Sequence, residues 1–323
     1  MSVLGALLLP LALALPGQPS GSVQQDSFWS PALGTRKHYV IYLPPSYAMR
    51  DSRRYPVAYY LHGLFGSESD WTRAGHLDAA MDSLLAAGGR DMIVVMPDGD
   101  DGWYTTWNSL GSYATCLKAQ REGTKEPATS YCVPWPHYDD YIARDLVAHV
   151  DSAYRTIADR EHRGIAGLSM GGYGAISLAL SYPEVFSAAA SHSGVLSPLY
   201  AGSHPFLAPP RYATDMDTLR AGWGRLWRYT DGVFGRDSLA WLARDPRRMA
   251  ERLVRAGRPL PALFIDLGTE DGLADQSRAF HWELERLGVA SRYAEWPGRH
   301  DWAYWSIHVR QSLAWLMERI GRG

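Results

Sequence analysis

Short apolar runs recur along the chain at His38–Leu43, Val57–Leu61, Met92–Met96, Gly164–Leu168, Phe186–Ser191, Leu263–Leu267 and Ser291–Glu295. Each predicts a strand, and their near-continuous apolarity predicts strands buried on both faces. Between them, apolar positions recur every three or four residues. In Tyr138–Arg155, residues Tyr141, Ile142, Leu146, Val147, Val150 and Tyr154 form such a stripe. Gly172–Ser181, Ala274–Leu287 and Asp301–Ile320 read the same way, as helices. Strand alternating with helix implies an α/β fold, a mostly parallel sheet with helices on both faces. The stretch from Leu196 to Pro261 breaks the alternation with Pro, Arg and Trp residues and short helical pieces. It reads as an insertion (196–261) over the C-terminal edge of the sheet, within one catalytic domain spanning 19–323.

At 323 residues the length alone suggests about two domains, a soft prior that the continuous alternation overrides. With 46% apolar and 20% charged residues the chain has ample core-forming material, which excludes a disordered or fibrous protein. Lys and Arg (32) nearly balance Asp and Glu (34), so no polycationic surface is available for nucleic acid. The aromatic set is skewed, with 13 Trp and 19 Tyr against 7 Phe. Rings with a polar tip suit half-wet clefts as well as cores.

Residues 1–18 open with an apolar run that ends at Ala12-Leu13-Ala14, an A-x-A-like cleavage pattern. The run is too short to span a bilayer and reads as a signal peptide, although the first basic residue is only Arg36. The mature chain is therefore expected in a secreted or periplasmic location, with no stable membrane insertion. Cys116 and Cys132 lie close together in a Gly/Ser/Thr/Lys-rich loop. In an exported protein such a pair reads as one disulfide, contributing about 3 kcal/mol by loop entropy.

The densest chemical signal is Gly167-Leu168-Ser169-Met170-Gly171, between a predicted strand and a predicted helix. Small residues two before and two after a serine permit a sharp strand-to-helix turn that exposes the hydroxyl. Such a hydroxyl needs a base, and the base needs an orienting carboxylate; in this fold the chain order is Ser, acid, His. Of the downstream histidines, His300 lies in a Pro/Gly loop after a strand. His281 and His308 fall within helices, and His192 comes too soon for an acid to intervene. For the acid, Asp271 in Gly268-Thr-Glu-Asp271-Gly272 is best placed, Glu270 is next, and Asp266 lies within the strand. An oxyanion requires two backbone donors. Met170 follows the serine, and Leu64 lies in the His62-Gly63-Leu64-Phe65-Gly66 turn.

Together with Met96-Pro97-Asp98-Gly99 and Gly298-Arg-His300-Asp-Trp302, these motifs resemble the putative esterase (esterase D-like) family. That family includes S-formylglutathione hydrolases, feruloyl esterases and mycolyltransferases. The resemblance covers about residues 36–318. It implies an α/β-hydrolase fold, a triad of Ser169, Asp271 and His300, and oxyanion donors at Leu64 and Met170. No cofactor or metal is implied.

Asp98-Gly-Asp100-Asp101 lacks the spacing of a calcium loop and reads as a solvated turn. Trp103, Tyr104 and Trp107 follow the same strand and, with Trp302, are candidates for substrate contact. Ten indoles (Trp71, Trp103, Trp107, Trp135, Trp223, Trp227, Trp241, Trp296, Trp302 and Trp305) fall near the expected site. They suggest an aromatic-walled groove for an aryl or glycosyl ester. The expected function is an exported serine carboxylesterase acting on a small-molecule or glycan ester. The alternatives are an acyltransferase using a sugar hydroxyl and a non-catalytic carbohydrate-binding relative.

Overall fold

The computed structural model describes residues 20–49, 51–107, 113–118, 132–235 and 237–321. Eight strands form one sheet: β1 (Ser22–Ser30), β2 (Thr35–Leu43), β3 (Val57–Leu61), β4 (Ile93–Pro97), β5 (Arg163–Leu168), β6 (Ala188–His192), β7 (Ala262–Gly268) and β8 (Ser291–Trp296). Their spatial order is β1-β2-β4-β3-β5-β6-β7-β8. β1 and β2 pair antiparallel, as do β2 and β4, and the other pairs are parallel.

Strands β3 to β6 are buried at every position, so alternate residues feed two cores. Ile41, Val57, Tyr59, Leu61, Val95 and Ile165 point to one face. There α2 (138–153, π-helical over Tyr141–Leu146) and α3 (Met170–Ser181) cover them, with α4 (Pro246–Arg255) and α5 (Ala274–Arg286) contributing to the same core. Tyr42, Ala58, Tyr60, Val94 and Ala166 point to the other face, beneath α1 (Leu77–Ala86) and α6 (Trp302–Ile320). The long run between β6 and β7 includes α4, which packs against α3 and α5 as part of the outer layer.

Strand β1 has no apolar period to betray it. Its first five residues are exposed, and it adds a polar edge to β2 through a nine-residue antiparallel register. Residues 1–19, where the signal peptide was expected, lie outside the described residues. Among the described residues no helix is long and apolar enough to cross a membrane.

Candidate active site

The parallel strands end in line. Leu61 pairs with Gly167, Leu168 with His192, His192 with Asp266, and Gly268 with Trp296. The loops that leave these ends therefore meet along one edge. Ser169 occupies the turn between β5 and α3 at φ +53° and ψ −116°, a conformation that L residues rarely adopt. The turn closes only because Gly167 and Gly171 lack side chains. A Cβ on Gly167 would lie 2.3 Å from the Gly171 carbonyl oxygen, and one on Gly171 would lie 2.3 Å from that of Leu61. Ser169 N–H donates to the His192 carbonyl at 3.0 Å, which fixes the strained backbone.

His300 and Asp271 arrive on the loops after β8 and β7. Those loops cross closely, since Glu270 N–H donates to the Gly298 carbonyl at 2.9 Å. His300 Nε2 lies 2.9 Å from Ser169 Oγ, and His300 Nδ1 lies 2.9 Å from Asp271 Oδ2. The Asp271 side chain is fully buried while the imidazole is partly exposed. Burial pushes the Asp271 carboxyl up. The His300 hydrogen bond and charge, with the Leu273 N–H, outweigh burial and hold it below the usual carboxylate range. An ionised carboxylate on Nδ1 favours the Nδ1–H tautomer, leaving Nε2 free to accept the serine proton. Trp305, one of the indoles expected near the site, packs edge-to-face against the His300 ring at 4.9 Å between centroids. Glu270, the alternative acid, is exposed and pairs with Arg299.

The turn after β3 lies directly against the serine. A Cβ on Gly63 would sit 3.5 Å from Ser169 Cβ, which brings Leu64 beside the nucleophile. Met170 begins α3, where backbone N–H groups have no intrahelical acceptor. Beneath the turn, Gly99 N–H donates to His62 Nε2 at 2.8 Å, so His62 Nδ1–H faces the Gly63 carbonyl at 2.8 Å. Phe65 N–H donates to Asp101 Oδ1 at 2.8 Å.

The acidic turn Asp98–Asp101 differs from the expected solvated loop. Asp100 and Asp101 are buried, and the fully buried Lys37 ammonium lies 2.6 Å from Asp98 and 2.9 Å from Asp100. Burial works against the Lys37 charge, but Asp100 and Asp98 outweigh it and raise its pKa. Burial, with the nearby Asp98 charge, pushes Asp100 up to about 6 despite Lys37. Asp98 is held well below the usual range: burial opposes its charge, but Lys37 and His62 overcome that cost. The turn needed a counter-charge from β2, which is remote in sequence and invisible to local composition.

The expected aromatic groove is also revised. Trp103 and Tyr104 are buried at 2% and 1% exposure and present no face to a substrate. Tyr104 O–H donates to the His62 carbonyl, while Trp103 packs against Tyr173, Trp223 and Phe234. Trp227 stacks on Trp241 and Trp223 packs against it at a tilt, joining the indoles of the β6–β7 segment to the core. Trp107 is half-buried and donates to the Gly102 carbonyl. Trp302 is half-buried and packs edge-on against Trp71 and Trp305. Cys132 is buried; the Cys116 side chain lies outside the described residues.

A second Asp–His–Ser arrangement escaped sequence reasoning. His192 Nδ1 lies 2.7 Å from Asp266 Oδ2, and His192 Nε2 lies 2.7 Å from Ser312 Oγ. All three residues are fully buried, so no ester reaches that hydroxyl. Tyr304 O–H donates to the other Asp266 oxygen at 2.9 Å, tying β7 to α6.

This strand order, with a serine at a strand–helix turn and a histidine and carboxylate on later loops, defines an α/β hydrolase. The chain belongs to the putative esterase family, whose model matches residues 30–316. It is 31% identical over 278 residues to an esterase of Mycobacterium tuberculosis, covering 84% of this chain and 54% of that protein. The chain thus spans about half the length of that curated relative. Among solved structures it is similar to a ferulic acid esterase (TM-score 0.66, 23% identity, 93% of this chain and 98% of that one). It is also similar to the fluorophosphonate-binding serine hydrolase F of Staphylococcus aureus (TM-score 0.69, 21% identity, 92% and 99%).

Proposed function

We propose that the protein is a serine carboxylesterase. The observation that carries this reading is the unbroken contact from Ser169 Oγ through His300 to Asp271, both steps at 2.9 Å. Ser169 attacks the ester carbonyl as His300 Nε2 takes its proton. Asp271 holds the imidazole tautomer and stabilises the imidazolium. The N–H groups of Leu64 and Met170 receive the oxyanion, aided by the N-terminus of α3. His300 then returns the proton to the leaving alkoxide, and water repeats the sequence on the acyl-enzyme. Turnover of 4-nitrophenyl acetate is expected, with kcat for Ser169→Ala lower by about 10⁴ or more while its melting curve is retained. Equal rates for the two proteins would overturn the assignment.

Finer parts of the reading rest on the sequence. We read residues 1–18 as an export signal, 19–323 as one catalytic domain with a 196–261 insertion, and Cys116–Cys132 as a disulfide suited to an oxidising compartment. The substrate class we favour is a feruloyl or acyl-carbohydrate ester, in keeping with the ferulic acid esterase among the similar structures. Trp107 and Trp302, both half-buried, remain the aromatic candidates for its contact. Partition of the acyl group between water and an added sugar, read as free acid against acyl-sugar, separates hydrolase from acyltransferase.

A further inference from the structure

With Trp103 and Tyr104 in the core, another aromatic surface adjoins the turn after β3. Phe65 follows the proposed oxyanion residue Leu64 and is 63% exposed. It holds φ at +65°, an uncommon setting for a bulky residue. The Asp101 carboxylate fixes its N–H in place. A large ring held out to water by a buried carboxylate is poorly explained by packing alone.

The Phe65 ring meets that of Tyr229 edge-to-face, 4.8 Å between centroids. Tyr229 ends a 3₁₀ turn, Gly224–Tyr229, whose last carbonyl accepts the Trp103 indole N–H at 3.0 Å. The turn is therefore tied to the core below while its outer side faces solvent. The Arg228 guanidinium lies 4.8 Å from the centre of the Tyr229 ring. Arg220, Arg225 and Arg228 are all exposed. Ion-paired Arg247, Arg248, Arg255 and Arg258 lie further on, along and after α4. In a chain of net charge −2, residues 193–261 hold eleven arginines against six acidic residues.

We propose that Phe65, Tyr229 and Arg228 form a specificity ledge beside the oxyanion turn, selecting esters whose aromatic group bears an anionic substituent. The inference rests on the serine-esterase reading and adds a charge preference among the aromatic esters that reading includes. The substrate ring packs on Phe65 and Tyr229, edge-to-face or offset, and its carboxylate reaches the Arg228 guanidinium. Exposed Arg220 and Arg225 on the same segment add positive charge that raises the local concentration of such substrates.

Two matched ester pairs test it. Phenyl acetate against 4-acetoxybenzoate places the acid on the alcohol side, and methyl cinnamate against methyl 4-carboxycinnamate places it on the acyl side. In one pair, the kcat/KM preference for the charged ester over the neutral one is expected to fall about tenfold in Arg228→Gln, chiefly through KM. The same preference should shrink at high salt. Phe65→Ala should weaken both members of that pair. Arg228 is exposed, so its replacement leaves the core untouched. Preference ratios identical in wild type and Arg228→Gln for both pairs, with 4-nitrophenyl acetate still turned over, would overturn the ledge and leave the esterase standing. No turnover of any ester would overturn both.

Discussion

Ser169 is held at a positive φ by contacts that tolerate no side chain at Gly167 or Gly171. A methyl on Gly171 meets the Leu61 and His62 carbonyl oxygens, which belong to β3 and its turn and have nowhere to move. Gly171→Ala is therefore expected to cost about 1–3 kcal/mol in denaturant melts, and to lower kcat by shifting the serine. At the other end of the relay, Asp271→Asn keeps the volume but loses the charge that favours Nδ1–H. Its kcat is expected to fall about 10⁴-fold with little change in KM, read from steady-state kinetics. These residues were legible because their chemistry is local: a serine between glycines, a histidine in a Pro/Gly loop, an aspartate after a strand. Phe65 and Tyr229 were not, because sequence does not show which of many aromatic rings face water. Tyr104 and Trp103 read as cleft walls on the same composition and are core.

Among the elements, the turn after β3 depends on a neighbour. His62, Gly63 and Phe65 are each bonded from below by the Asp98–Asp101 turn or to their own backbone, so the Leu64 peptide has a defined platform. Asp101→Ala removes the acceptor for Phe65 N–H and loosens that platform. The expected outcome is a kcat lower by about tenfold with a nearly unchanged KM, and recovery in Asp101→Asn, whose amide oxygen still accepts. Seven of the eight strands were foreseeable from apolar runs, with ends displaced by one or two residues in most. The eighth, β1, is solvated over its first five residues and buries only Phe28 and Ser30 near its end, too little to show an apolar period. The acidic turn misled for a related reason: its partner Lys37 is 61 residues away, and burial of a charge depends on such distant company.

Across the whole molecule, the Lys37–Asp98–Asp100 cluster makes stability depend on pH in a specific direction. Asp100 titrates higher folded than unfolded, so its protonated form is the favoured one in the native state. Its contribution is fully present below the ordinary carboxylate pKa and is lost as pH rises through about 6. Asp100→Asn mimics the protonated form. The Tm of the variant relative to wild type is expected to be more favourable at pH 8 than at pH 5, by about 2 °C in calorimetry. A difference of opposite sign would show that Lys37 needs both negative charges.

The sealed Asp266–His192–Ser312 array has a bearing on how the protein wears out. It ties β6, β7 and α6 together beneath the loops that carry Asp271 and His300. The Asp271 loop leaves β7, and the His300 loop runs from the edge strand β8 into α6, so each is anchored to an element of the array, whose amides are expected to exchange with solvent only on global opening. Heating should consequently leave no interval in which the chain is folded yet inactive: residual activity and native signal should decay with one half-life. An earlier loss of activity would show that the acid and base loops come away from the sheet on their own.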